Sequence, residues 1–250
     1  MKKIIVTIFA VATTLACKNS EEKKEDDNAV AQETSEKNTE NEEWKFLFNG
    51  EDADGWRAYN GEENEGLPEG WVIEDGTLKS LGQGGDIGGD IVYEDQEYDE
   101  FELYLEWKIS PEGNSGVFYH VIEDEEYDSP YFAAPEYQII DQLGFPQKLE
   151  PWQSIGADYG MYDPEYKDED LKEVGEWNST RIRFTEEKVT YWLNDKVTVE
   201  FEPWTEEWEK RKTEGKWKDF PDYGKAKSGF IGLQDHGSFT WFRNIKIKEL

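Results

Sequence analysis

Sulfur is nearly absent from this chain, whose 250 residues hold one cysteine, Cys17, and two methionines. A lone cysteine excludes an internal disulfide framework, and its place near the start leaves the rest of the chain without a thiol nucleophile. Histidine is equally sparse: His120 and His236 are the only two, so imidazole chemistry has two candidate positions. Positive charge is also short. Lys and Arg number 27 against 58 Asp and Glu, a formal net charge of -31 with a pI near 4.3. Such a field repels phosphate backbones and anionic headgroups, so nucleic acid is not an expected partner. No internal repeat is present, and no pair of residues has a spacing that by itself dictates chemistry.

What is present begins with a leader. Met1-Lys2-Lys3 precedes the apolar run Ile4–Ala12, and small and hydroxyl residues then lead to Ala16-Cys17. That order is a charged start, an apolar core and a cleavage site. The apolar run is too short to span a bilayer, which takes about 20 residues. Leu15-Ala16-Cys17 resembles the lipobox of bacterial lipoproteins, which implies cleavage after residue 16, lipidation of Cys17 and anchoring to the outer membrane. Residues 17–43 are then the lipidated cysteine and an acidic tether, with almost no large apolar group to offset ordering entropy. Ser20-Glu21-Glu22 resembles the acidic signal that carries lipoproteins of Bacteroidetes to the cell surface. A solvated charge run explains the same residues equally well.

Residues 44–250 are expected to form one all-β domain. In Phe101–Ile109 the odd positions are apolar and the even ones polar or amphipathic, the alternation of a strand with one face in a core. Residues 189–194, 197–201, 228–233 and 240–247 also read as strands. Asn194-Asp195 and Asp75-Gly76 supply tight hairpin turns. Many short strands joined this way predict a sandwich or jelly roll of antiparallel sheets. One stretch leans helical: Trp204–Lys216, with Trp204 and Trp208 at i and i+4, predicts a short amphipathic helix before the last two strands. Loops at 82–89, 124–135 and 158–170 are long enough to shape a binding site. Eleven Trp and thirteen Tyr suit the apolar faces of sugar rings, although most must serve the core.

Several phrases, in order, resemble one known family. They are Phe48-Asn49-Gly50 with Gly55-Trp56, Trp71 with Asp75-Gly76-Thr77-Leu78, Glu106-Trp107, Gly113-Asn114-Ser115-Gly116, Glu136-Tyr137-Gln138 with Asp141, Gly175-Glu176-Trp177-Asn178, Trp192-Leu193-Asn194, and Gln234-Asp235-His236-Gly237 with Phe242-Arg243-Asn244. The family is the 3-keto-glucoside lyase/hydratase, or 3-keto-disaccharide hydrolase, domain. The resemblance implies a concanavalin A-like jelly-roll sandwich and a part in breaking down oxidised glycosides. One departure is His120, at a position where the family often carries arginine.

A 3-keto sugar offers its own route to cleavage. The ketone acidifies the C2 proton, so a single base can generate an enolate that expels the C1 substituent, and water then adds to the product. The site needs a base, an enolate stabiliser and an acid. Glu136 is the first candidate base, sharing a strand face with Gln138. In a chain this acidic, an idle edge-strand glutamate is the competing reading. His236, in a turn between the last two strands, suits proton transfer near neutral pH, though lone histidines are more often structural. Glu106 is the third catalytic candidate. Arg243 could grip an enolate or a hydroxyl, or simply pair with a carboxylate. Asn114, Gln138 and Gln234 can donate and accept at once to sugar hydroxyls, and Asp141 and His120 complete the expected substrate contacts. Glu106, Glu136, Asp141 and His236 are also donor types for a divalent metal, with no spacing that establishes one. Two rival classes stay open. A non-catalytic lectin-like module would use the same amides and aromatics. A β-glucanase-like hydrolase would need two carboxyl groups about 5–5.5 or 6.5–9.5 Å apart, for which Glu97-x-Asp99-x-x-Glu102 is a loose match.

Overall fold

The computed structural model describes residues 43–84 and 89–250. The leader, Cys17, almost all of the tether and part of the glycine-rich loop lie outside the described residues.

Thirteen strands form the framework of the described residues. They are β1 (Lys45–Phe48), β2 (Trp56–Ala58), β3 (Trp71–Glu74), β4 (Thr77–Leu81), β5 (Ile91–Tyr98), β6 (Phe101–Ile109), β7 (Asn114–Val121), β8 (Glu136–Ile140), β9 (Asn178–Phe184), β10 (Val189–Leu193), β11 (Lys196–Phe201), β12 (Gly229–Leu233) and β13 (Phe239–Glu249). One α-helix, α1 (Glu206–Glu214), sits between β11 and β12. An eight-stranded sheet runs β11-β10-β9-β6-β13-β4-β3, with β1 also paired to β13, and a five-stranded sheet runs β2-β5-β12-β7-β8. Every pairing is antiparallel. The fold is the concanavalin A-like jelly-roll sandwich with one inserted helix.

Alternation builds the core. Along β6, Phe101, Leu103, Leu105, Trp107 and Ile109 are buried, and they meet Val117, Tyr119, Tyr137, Ile139 and Leu233 in one cluster. The polar atoms of this interior are largely paired: Trp107 Nε1 donates to Thr180 Oγ1 at 2.9 Å and the Tyr119 and Tyr191 hydroxyls meet at 2.7 Å. Both expected hairpin turns have positive φ at two successive residues, Asp75-Gly76 at 49° and 72° and Asn194-Asp195 at 50° and 65°. That is the backbone of a type I′ turn, whose twist matches the flanking strands. The helix is shorter than its sequence pattern suggests. Thr205 caps it by accepting the Trp208 N–H, and Trp204 stands before the cap with φ 57°. There its indole donates to the Gly224 carbonyl at 2.7 Å, outside the helix.

Candidate active site

The same period of two that buries Tyr137 and Ile139 between the sheets turns Glu136 and Gln138 to the opposite face of the five-stranded sheet. On the neighbouring strand β7, Asn114 and Gly116 share that face, with Gly116 opposite Gln138 in register. Gly116 is what lets the Glu136 side chain lie flat across the sheet: a Cβ at Gly116 would stand 2.1 Å from Glu136 Oε1. Gln234, one residue past the end of β12, continues the row, and its N–H donates to the Gly116 carbonyl at 3.0 Å.

Segments outside the sheet roof this face. Tyr131, Tyr159, Trp217 and Phe220 close a cavity of about 230 Å³ over Asn114, Glu136, Gln138, Gln234, Lys216 and His236. Trp217 is fixed by its indole N–H to the Tyr159 carbonyl at 2.9 Å and by stacking on Tyr223, with ring centroids 4.1 Å apart. Three amide oxygens here, Asn114 Oδ1, Gln138 Oε1 and Gln234 Oε1, are buried without a hydrogen-bond partner among the described residues. Buried polar atoms are normally paired, so three unpaired amide oxygens in one cavity mark a surface shaped for a hydroxylated ligand.

Glu136 is fully enclosed. Burial above all, then the charges of Asp90 and Asp158, push its carboxyl well above the usual range, against the pull of Lys216. Among the described residues it is the only carboxylate lining the cavity, and Lys216 is the only Lys or Arg. A second layer holds the frame. Asp90 accepts the Asp235 N–H at 2.9 Å and the Ser129 hydroxyl at 2.9 Å. Asp235 in turn accepts the N–H groups of Gln83, Gly84 and Gly237 at 3.1, 2.9 and 3.0 Å. One carboxyl pair thus ties together the loop carrying Tyr131, the turn carrying His236 and the start of the glycine-rich loop. Burial lifts the Asp90 carboxyl to about 7, with its hydrogen bonds to Asp235 and Ser129 pulling back and the Asp235 charge adding to the rise.

Five of the residues singled out in the sequence therefore converge: Glu136, His236, Asn114, Gln138 and Gln234. Four do not line this cavity. Glu106 and Arg243 belong to the eight-stranded sheet, where Arg243 Nε meets Glu106 Oε2 at 2.5 Å and its guanidinium lies 3.9 Å from the Trp177 ring centroid. Burial alone would raise the Glu106 carboxyl, but Arg243 and Asn244 hold it below the usual range. This pair supports a sheet, and the catalytic and substrate-gripping parts expected of them are withdrawn. His120 is also corrected. It sits at a β7 irregularity with φ 52°, its Nε2 is 2.8 Å from the Asp99 carbonyl, and its ring packs 4.4 Å from Phe184. Burial drives its pKa down to about 4, so it is a neutral core histidine. Asp141 lies beside the cavity, accepting the N–H groups of Glu112 and Gly144 at 2.9 Å each. Of the acids in the glucanase-like match, Glu102 pairs with Arg181 and Lys248, and Glu97, Asp99 and Glu102 line no part of the cavity. Among the described residues no group of three or more His, Cys, Asp or Glu is arranged to hold a metal. Glu136 and His236 alone are too few donors for a structural metal site.

The sequence profile of the 3-keto-alpha-glucoside-1,2-lyase-like domain matches residues 43–248. The chain belongs to that family. A relative named 3-keto-disaccharide hydrolase, from Bacteroides thetaiotaomicron, is 33% identical over 229 residues, covering 82% of this chain and 77% of its own. A crystal structure from Parabacteroides distasonis, named as a glycosyl hydrolase, superposes with a TM-score of 0.76 at 39% identity, covering 84% of this chain and 95% of that one. A second from the same organism gives 0.63 at 31% identity, covering 83% and 100%. Membership of the 3-keto-glucoside lyase-like family makes this a carbohydrate-active enzyme, and places the cavity's amides and aromatics in a chemical context. The reasoning from residues alone missed Lys216, Trp217, Phe220, Tyr131 and Tyr159, which reach the site from the roof. The signal available for two of them was Trp217 and Phe220 themselves, large apolar residues in a lysine-rich stretch with neither strand nor helix period.

Proposed function

We propose that this enzyme cleaves 3-keto-glycosides by removing the C2 proton and eliminating the C1 substituent, with Glu136 as the base. The observation that carries the reading is a fully buried carboxyl, the one carboxylate among the described residues of the cavity, beside one lysine and three unpaired amide oxygens. A conventional glycosidase needs two carboxyl groups flanking the bond, and among the described residues this cavity has one. A base that desolvation has made more basic suits a carbon acid better than an ordinary surface glutamate does.

The steps assign one part to each group. Glu136 takes the C2 proton, and the C2–H electron pair moves toward the C3 carbonyl to give an enolate. Lys216 and the cavity amides stabilise the charge on the C3 oxygen, where it is larger in the transition state than in the ground state. The enolate then re-forms the carbonyl, creates a C1=C2 double bond and breaks the C1–O bond, while His236 donates a proton to the departing oxygen. Water adding across C1=C2 in the same cavity makes the net change hydrolysis of a 3-keto-disaccharide.

The deciding experiment incubates the enzyme with a 3-keto-disaccharide beside its unoxidised parent and follows the products. Cleavage of the keto form alone supports the reading. Equal cleavage of both would return a two-carboxylate hydrolase, and binding without turnover of either would make the domain a lectin-like module. The lipobox-like Leu15-Ala16-Cys17 supports the further proposal that the enzyme is anchored through a lipid on Cys17 to the outer membrane.

A further inference from the structure

A second groove of about 390 Å³ adjoins the first and shares Asn114, Gln138, Tyr159 and His236 with it. Its own wall is Phe145, Leu149, Gln147, Gln153 and Glu112. The two spaces differ in chemistry: Glu136 and Lys216 line only the first. We propose that this groove is the leaving-group subsite and that it takes a neutral, hydroxylated ring, a second pyranose.

The assignment follows from where the charges stand, and it rests on the reading of Glu136 as base. The ring that loses its C2 proton and carries the enolate must lie against Glu136 and Lys216, in the first cavity. C1 adjoins C2, so the bond to be broken falls at the shared wall, where His236 stands. The departing half then extends into the groove. Phe145 and Leu149 are half-buried and rest on the core, a fixed apolar platform for the C–H face of a sugar. Gln147 and Gln153 can donate and accept to hydroxyls, and the Glu112 carboxylate can accept from them. Among the described residues no Lys or Arg lines the groove, so a phosphorylated or uronic leaving sugar would meet Glu112 with nothing there to neutralise it.

The wall is held in place. Asp141 accepts the N–H groups of Glu112 and Gly144, and its own carbonyl accepts the Phe145 N–H at 2.9 Å. Gly144 has to be glycine for this, because a Cβ there would lie 2.3 Å from Asp141 Oδ2. Gln142 Oε1 accepts the Ile155 N–H at 2.9 Å, and Gln138 Nε2 donates to the Gln153 carbonyl at 3.3 Å. Asp141 is therefore a positioning residue for the groove.

The test compares two substrates, a 3-keto-disaccharide with glucose as leaving group and the methyl 3-keto-glucoside, which leaves the groove empty. Phe145→Ala and, separately, the exposed Gln147→Ala are expected to lower the ratio of kcat/KM between them about tenfold, the usual worth of one lost ring contact in a pocket. An unchanged ratio in both variants overturns the proposal. A parallel titration needs no turnover: glucose should broaden or shift tryptophan and ligand NMR signals in the full chain, glucose 6-phosphate should do so far less, and Phe145→Ala should weaken the glucose effect. If neither keto substrate turns over but glucose binding responds to Phe145→Ala, the base assignment fails and the groove survives. If both keto substrates turn over with an unchanged ratio and glucose binding is indifferent to Phe145, the groove fails and the base assignment stands.

Discussion

Gly116→Ala adds one methyl group on the strand beside the base. An ideal Cβ at that position lies 2.1 Å from Glu136 Oε1 and 2.8 Å from both Cδ and Cγ. Ordinary contact begins near 3.4 Å, so the carboxylate must withdraw by about 1.3 Å, or β7 must move. The strand is poorly placed to yield, because Gly116 is paired with Gln138 on one side and accepts from Gln234 on the other. Overpacking of this kind costs about 1–3 kcal/mol, so the variant should fold with a lowered Tm. A displacement of about 1 Å in a catalytic group costs on the order of 10²-fold in rate. The expected outcome is a kcat on a 3-keto-disaccharide reduced about a hundredfold, with a native-like circular dichroism spectrum. Full kcat in a folded Gly116→Ala enzyme would refute the placement of Glu136 against the reacting carbon.

Two further outcomes follow from the same geometry and a third from the lipobox-like Leu15-Ala16-Cys17. Lys216→Met removes the one cation beside Glu136 and should lower kcat by about 10² to 10³. It should also move the acid limb of the pH–rate profile to higher pH, since Lys216 is what pulls the Glu136 carboxyl down, and a profile that merely scales would show the lysine acting elsewhere. The Asp90 carboxyl is raised in the fold from 3.8 to about 7, so its contribution to stability is complete below about pH 4 and is lost as pH rises through 7. Asp90→Asn has no such loss, and chemical denaturation should show the variant gaining on the wild type between pH 4 and 8; a constant difference would contradict that. Cys17→Ser should abolish partitioning into detergent, and a mutant that partitions like the wild type would disprove acylation at that cysteine.

How far the sequence reached is best seen residue by residue. Alternation in Phe101–Ile109 located β6 to the residue, because one face of that strand is entirely core. The helix began later than its pattern because Thr205 competes successfully for the Trp208 N–H and leaves Trp204 outside. Glu136 and Gln138 were legible as a pair because a period of two places them on one face whatever lies opposite. His120 left the cavity face because β7 is irregular there, at φ 52°, and Glu106 and Arg243 were misplaced for the complementary reason. Alternation tells which side of its own strand a residue takes, but not which sheet the strand joins. That depends on pairings such as β6 with β13 and β7 with β12, between residues more than a hundred positions apart. Lys216 and the roofing aromatics escaped notice because nothing local announces a segment that closes over a distant strand.

The central claim is that the bond breaks by proton loss at C2, and a 3-keto-glucoside deuterated at C2 tests it most directly. Removal of that deuteron by Glu136 should appear as a primary isotope effect when abstraction limits the rate, and the label should pass to solvent as the leaving group departs. A first-released sugar that keeps its deuterium would contradict the elimination and put attack at C1 in its place.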